Sequence, residues 1–178
     1  MIIRSYGGLT PRIGARVFIA ENATVIGDVE IGDDASIWYG AVLRADIHAI
    51  RIGARTNVQD NCTIHVTAGT WPTILADEVT LGHGVIAHGC TVETHCLIGM
   101  GATILDGAVV GEETLVGAGA LVTEGMKIPP RSLVLGVPGR VIRRLTPEEV
   151  ERIQLNFRSY LEYKDAYLAA RLEAGDDD

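Results

Sequence analysis

The chain has 178 residues, a net charge of −8 and a sequence pI near 5.1, with no basic stretch to offset it, which excludes nucleic acid as its main partner. Hydrophobic residues make up 47% and aromatics only 5%, beside 21 glycines. That balance excludes a disordered chain and a core built on large rings, and no run reaches the length of a membrane span.

The first residues, Met1-Ile2-Ile3-Arg4-Ser5, lack the basic-then-apolar layout of a secretory signal. Cys62, Cys90 and Cys96 form no CxxC pair. The expectation is reduced thiols acting as small core filler in a cytoplasmic protein.

From Ile13 a period of six begins: Ile13, Ile19, Val25, Ile31, Ile37, Leu43. It jumps by nine to Ile52, continues at Val58 and Ile64, and jumps by ten to Ile74. It then runs through Thr80, Ile86, Val92, Ile98, Ile104, Val110, Val116, Val122 and Ile128 to Val134. Nineteen of these twenty positions are Ile, Val or Leu, and Thr80 keeps the β-branched shape. A period of six fits neither a helix nor a simple strand. It fits a short strand and a turn repeated on three sides of a triangular prism, with the aliphatic residue inside and the next coil stacked above as parallel strands. Twenty hexads make nearly seven coils, a prism ~30 Å tall at a strand spacing of roughly 4.8 Å. The jumps read as loops near Ile47–Ala49 and within Val66–Thr73. The second, with Trp71-Pro72, is either a plain surface loop or a cover over an interface or site.

The repeat stops after Gly139, so residues 1–145 form the expected solenoid domain. Arg140, Arg143 and Arg144 read as a helix approach or an oligomer contact. Thr146-Pro147-Glu148-Glu149 is a helix start, with Thr146 as N-cap, Pro147 at the first helical position and Glu149 closing a capping box. Val150, Ile153, Phe157, Tyr160, Leu161, Tyr167, Leu168 and Leu172 follow at helical spacing. The spacing predicts a helix over 146–174, lying along the prism or a neighbouring prism, and a solvated acidic tail over 175–178.

Of five histidines, three fall in two adjacent coils. His65 follows inward Ile64, and His88 lies two after Ile86 on the same face one coil higher, so these two stack. His83 follows Thr80 by three, near a corner of a different face. The bland reading of such histidines is packing or corner hydrogen bonding; their convergence favours a metal. His65 and His88 can share an ion within one chain; His83 faces another way and is not expected to reach it, but a second subunit in a threefold arrangement can supply it. Three imidazoles leave a position open, as a catalytic rather than structural zinc site requires, and they suit Zn²⁺, Fe²⁺ or Co²⁺ alike. His95 reads as an outward surface residue, and His48, in the first insertion, as a candidate proton carrier. Arg44, Asp46, Asn57, Gln59 and Asp60 put polar groups around the histidines, either as partners that orient the ligands or as an ordinary solvated wall.

The run Arg44-Ala45-Asp46, Asn57-Val58-Gln59-Asp60, Ile64-His65-Val66, Gly82-His83 and His88-Gly89-Cys90 resembles the gamma-class carbonic anhydrase family over roughly residues 5–170. The closing Leu135-Gly136-Val137-Pro138-Gly139 is shared with many hexapeptide-repeat proteins, acyltransferases among them, and discriminates little. The resemblance implies a left-handed β-helix of hexapeptide repeats with a C-terminal α-helix, assembled as a homotrimer with interfacial metal sites. His65 and His88 of one subunit and His83 of its neighbour would hold the metal. Gln59 would contact the reacting hydroxide or bicarbonate, and Asn57 would line the pocket. Arg44 and Asp60 would form an interface ion pair, with Asp46 orienting Arg44. Tyr160 would approach the site from the helix. The implied activity is a lyase reaction, the reversible hydration of CO2 to bicarbonate. The best-characterised family members carry a shuttle glutamate directly after the aspartate matching Asp46 and another in the loop after the first histidine; here Ile47 and an acid-free Val66–Thr73 replace them. Turnover limited by proton export, and raised by added imidazole, is the expectation. The alternatives are acyl transfer or thioester hydrolysis on coenzyme A substrates, and a non-catalytic metal-stabilised trimeric scaffold.

Overall fold

A computed structural model describes residues 1–174; the acidic tail expected at 175–178 lies outside the described residues. The hexads form a β-solenoid of about seven turns followed, among the described residues, by one helix. One face carries Ile2–Arg4, the first halves of Thr24–Ile31 and Val42–Ile52, then Thr63–His65, Ile86–His88, Thr103–Ile104 and Leu121–Val122. The second carries Arg12–Ile13, the later halves of the same two long strands, Thr73–Leu75, Thr91–Val92, Val109–Val110 and Lys127–Ile128. The third rises from Phe18–Ile19 through Ser36–Ile37, Asn57–Val58, Thr80–Leu81, Leu97–Ile98 and Leu115–Val116 to Ser132–Leu135. These ladders are parallel, and Arg140–Arg144 closes the top by pairing antiparallel with the last strand.

The interior is a stack of aliphatic residues, but its frame differs from the strict step of six between Ile64 and Val92. Leu75, Leu81 and Ala87 point inward and are at most 1% exposed, while Ile74 and Ile86 face out at 37% and 43%. The second insertion therefore holds five extra residues, and the hexad between Ala87 and Val92 is one residue short, which restores the frame. The one trace of this shift in the hydrophobic period is polar Thr80, whose neighbour Leu81 is the inner residue. Positions 74/75 are both branched aliphatics, and at 86/87 the bulky residue is the outer one. Thr80 also points outward, buried beneath its neighbours, where its hydroxyl accepts the Asn57 Nδ2–H at 2.8 Å. Ile13, in the lowest coil, lies on a strand paired only with Thr24–Ile31 among the described residues and is 39% exposed. Leu81→Ala, which empties a closed layer, should cost roughly 2–5 kcal/mol in urea unfolding.

The first insertion is not a loop. Val42–Ile52 runs as one strand, and the register passes from Gly27↔Ala45 to Val29↔Ile50, so Asp46–Ala49 bulge out opposite Asp28. Gly27 permits the close approach: a Cβ there would lie 2.2 Å from the Ala45 carbonyl oxygen.

The corner between the second and third faces is built from non-glycine residues with positive φ: Arg16, Asp34, Arg55, Glu78, His95, Glu113 and Arg131. That conformation costs about 1–2 kcal/mol per residue, and charge pairing up the column offsets a small part of it. Arg16 pairs with Asp34, Arg55 with Glu78 at 2.7 Å, His95 also with Glu78, and Arg131 with Glu113. His95 is thus not an outward surface residue: it is half-buried, paired, and 6.0 Å from the Phe157 ring.

Helix α1 (Pro147–Ala174) runs down the third face. Thr146 Oγ1 accepts the Glu149 N–H, and Glu149 Oε2 accepts the Thr146 N–H at 2.9 Å. The Arg143 guanidinium grips the same carboxylate with two bonds of 2.7 Å. Ile153 and Val150 pack with Leu97, Leu115 and Leu133. Farther along, Lys164 is 1% exposed and donates to Asp34 Oδ1 at 3.0 Å and to the Arg16 carbonyl at 3.3 Å. At the base Arg171 donates to the Ile19 carbonyl at 2.7 Å and lies over the Phe18 ring. Among the described residues no helix is long and apolar enough to cross a membrane.

Asp34 therefore joins the corner column to α1. Its carboxyl is held down to about 2 by the Arg16 hydrogen bond, with Lys164 adding to the effect against the cost of burial. A carboxyl whose pKa falls on folding stabilises the fold above its unfolded value, and that contribution disappears as pH drops through the folded value. Asp34→Asn should cost about 2 kcal/mol near neutral pH. The difference in melting temperature between the two proteins should shrink from about pH 4 and vanish near pH 2.

Candidate metal centre

Strands Thr63–His65 and Ile86–His88 lie side by side with His65 and His88 as direct partners. Ile64 and Ala87 point inward, so the residue after each points outward on the same face. The corrected frame puts the two imidazoles in the same register. His65 Nδ1 and His88 Nε2 are 3.1 Å apart. Two nitrogens bound to one zinc-class ion at 2.0–2.1 Å lie that far apart when the angle between them is about 100°, so the pair fits a metal.

The outer nitrogens are held by carboxylates. Asp46 Oδ1 lies 3.1 Å from His65 Nε2, and Asp106 Oδ1 lies 2.5 Å from His88 Nδ1. Each acid is fixed in turn: Arg44 Nη1 donates to Asp46 Oδ2 at 2.5 Å, and Thr67 Oγ1 donates to Asp106 Oδ2 at 2.6 Å. Burial pulls both carboxyls upward, but the bonds from Arg44 and His65, and from Thr67 and His88, outweigh it and hold both below the usual range. Both acids stay ionised at neutral pH and accept an N–H. Each ring then turns a lone pair toward the space between the rings.

Asp106 was not among the sequence candidates. The signal was available: it lies two residues after inward Ile104, one coil above His88, so extending the histidine column by one coil finds it. The loop 66–73 braces this side. Thr73 Oγ1 donates to the His65 carbonyl at 2.5 Å and accepts the Gly89 N–H at 2.8 Å. The Trp71 indole lies against Gly107, 3.1 Å from where a Cβ would be.

The other candidates gather elsewhere in the chain. His83 lies in the turn after Thr80–Leu81, two residues after inward Leu81, with its Nδ1 2.7 Å from Asp60 Oδ2 and nearly half its side chain exposed. Asn57 and Gln59 are buried on the third face, where Gln59 Nε2 donates to Asn57 Oδ1 at 3.2 Å. A cleft of about 240 Å³ opens there, lined by Gln59, His83, Met100, Asn156 and Tyr160 among others. Tyr160 reaches it from α1, its ring edge-on to Trp38 at 5.6 Å. Burial, then the Asp60 charge, raises the Tyr160 phenol above its ordinary value, so it remains an O–H donor. One turn earlier on α1, Asn156 Oδ1 is buried without a hydrogen-bond partner. Within one chain Arg44 pairs with Asp46 and Asp60 with His83. No three metal-ligating side chains converge among the described residues of a single chain.

Two family models match parts of the chain, the bacterial transferase hexapeptide over residues 10–45 and the hexapeptide repeat of succinyl-transferase over 89–124. A probable carbonic anhydrase of Methanocaldococcus jannaschii is 54% identical over 86% of this chain and 96% of its own length. Gamma carbonic anhydrase 1, mitochondrial, of Arabidopsis thaliana is 44% identical over 89% of this chain and 60% of its own. A hexapeptide transferase family protein from Anaplasma phagocytophilum, 38% identical, superposes with a TM-score of 0.89 over 93% of this chain and 98% of its own. The chain belongs to the gamma carbonic anhydrase family of hexapeptide-repeat proteins, a family typically dependent on a metal.

Proposed function

We propose that the protein is a metal-dependent carbonic anhydrase that works as a homotrimer. His65 and His88 of one subunit, with His83 of the next, hold the ion. The observation that supports this reading best is the split of the candidates. One chain presents two imidazoles 3.1 Å apart with their outer nitrogens held by acids, and a third, exposed imidazole in another part of the prism. A neighbouring prism can bring that third imidazole to the first two. An ion of this class lowers the pKa of a water it binds to about 7, which supplies hydroxide at neutral pH.

The chain's own residues bind and orient. Asp46 and Asp106 fix the ring tautomers of His65 and His88, and Asp60 orients His83. Asn57 anchors the Gln59 amide at the edge of the cleft, where Gln59 and the Tyr160 hydroxyl hydrogen-bond the oxygens of CO2 or bicarbonate. The wall of Leu97, Ile98 and Met100 favours an apolar substrate. Arg44 and Asp60 each keep unused bonding capacity and form an ion pair across the interface. Zn²⁺ is the primary candidate, with Fe²⁺ and Co²⁺ compatible with the same donors. The buried free thiols Cys62, Cys90 and Cys96 fit a reducing compartment, the cytoplasm.

The test is to strip the protein with a chelator, reload it with Zn²⁺, Fe²⁺ or Co²⁺, and measure CO2 hydration by stopped flow. Hydration should rise in proportion to bound metal and be absent without it. Metal-dependent hydrolysis of coenzyme A thioesters, chemistry that the same class of ion supports, is the second reading. Hydrolysis of acetyl-coenzyme A by fully loaded protein that leaves CO2 untouched would replace the first reading with the second.

A further inference from the structure

Hydrating CO2 releases one proton per turnover, and that proton must leave the site. Beside the candidate centre, the bulge of Val42–Ile52 and the N-terminal turn enclose a groove of about 340 Å³ lined by Tyr6, Leu9, Asp28, Asp46 and His48 among others. Asp46 is a wall common to both spaces: its carboxylate bonds His65 and also lines the groove. His48 lies two residues farther along the same strand, half-buried, and its Nδ1 accepts the Ala49 N–H at 2.7 Å. A neutral ring held this way carries its own proton on Nε2.

We propose that His48 is the proton carrier of this enzyme and that the groove is the exit route; the proposal rests on the carbonic anhydrase reading. Neutral His48 takes the proton on Nδ1 through groove water. The Ala49 N–H and the new Nδ1–H are then two donors facing each other, so the ring must turn off the strand. It turns toward the groove mouth and gives the proton to a buffer base. Loss of the proton lets the ring return to Ala49. The other titratable groups facing His48 are Asp28, Asp46 and Tyr6. Asp28 is bonded to Arg51 at 3.0 Å and Asp46 to Arg44 and His65. The pairings with Arg51 and Arg44 leave neither acid free to take the proton itself.

The test compares native protein with His48→Ala at full metal occupancy. Exchange of ¹⁸O between CO2 and bicarbonate at equilibrium, which exports no net proton, should be unchanged. Net hydration in weak buffer should fall about 100-fold, and imidazole should restore it. A readout without turnover is the Ala49 amide resonance in metal-free native protein, which should shift with pH together with the His48 ring signals. Hydration by His48→Ala at the native rate in weak buffer, or an Ala49 amide that ignores the His48 titration, overturns the proposal. Native protein that catalyses no ¹⁸O exchange when fully loaded overturns the carbonic anhydrase reading itself.

Discussion

His83→Ala should lose metal and CO2 hydration as completely as His65→Ala, and a mixture of the two inactive proteins should recover both. An ion held by three imidazoles loses most of its affinity when any one is removed, whichever subunit supplies it. The recovery is specific to a shared site. In a ring where each interface takes His65 and His88 from one chain and His83 from the next, random assembly of equal amounts leaves about a quarter of the interfaces with all three. Metal analysis and stopped-flow assays before and after subunit exchange measure this. If exchange is demonstrated and neither metal nor activity returns, the three histidines do not meet across an interface.

Asp106→Asn should weaken metal binding about 10- to 100-fold, although Asp106 is not itself a ligand. Its Oδ1 holds the His88 Nδ1–H at 2.5 Å, and its ionised form is secured by Thr67. The amide keeps the size and one acceptor but loses the charge that makes His88 a stronger donor. Thr67→Val should act in the same direction with a smaller effect, because it frees the carboxylate without removing it. Competition with a chromogenic chelator reads both, and circular dichroism shows whether the fold is retained. Metal affinity equal to native in Asp106→Asn would mean that His88 is oriented by something else.

The period of six carried the architecture, because an aliphatic residue every six positions has few ways to be buried other than in a triangular coil. The insertions were harder to place. A hydrophobic pattern specifies frame only where inner and outer neighbours differ, and from Ile74 to Ala87 only the Thr80–Leu81 pair differs in the usual direction, while Ala87 is inside and Ile86 outside. That one-residue slip also put His88 two positions from an inward residue rather than one. The capping box at Thr146 and Glu149 was readable because it is local. The half-burial of His95 is not legible locally, because it depends on Phe157, some sixty residues later, and on a corner where charged residues take the place of glycine. Asp106 lay one coil beyond the window in which the histidines converge. The stacking of coils, rather than any motif, brings it to His88.

The most direct test of the shared metal centre is sedimentation of Co²⁺-loaded protein over a dilution series, followed at the cobalt absorption band. The metal should travel only with trimer, one ion per chain, and leave the protein as the trimer dissociates, because the ion and the assembly stabilise each other. A monomer that carries one ion per chain with undiminished affinity would contradict the account.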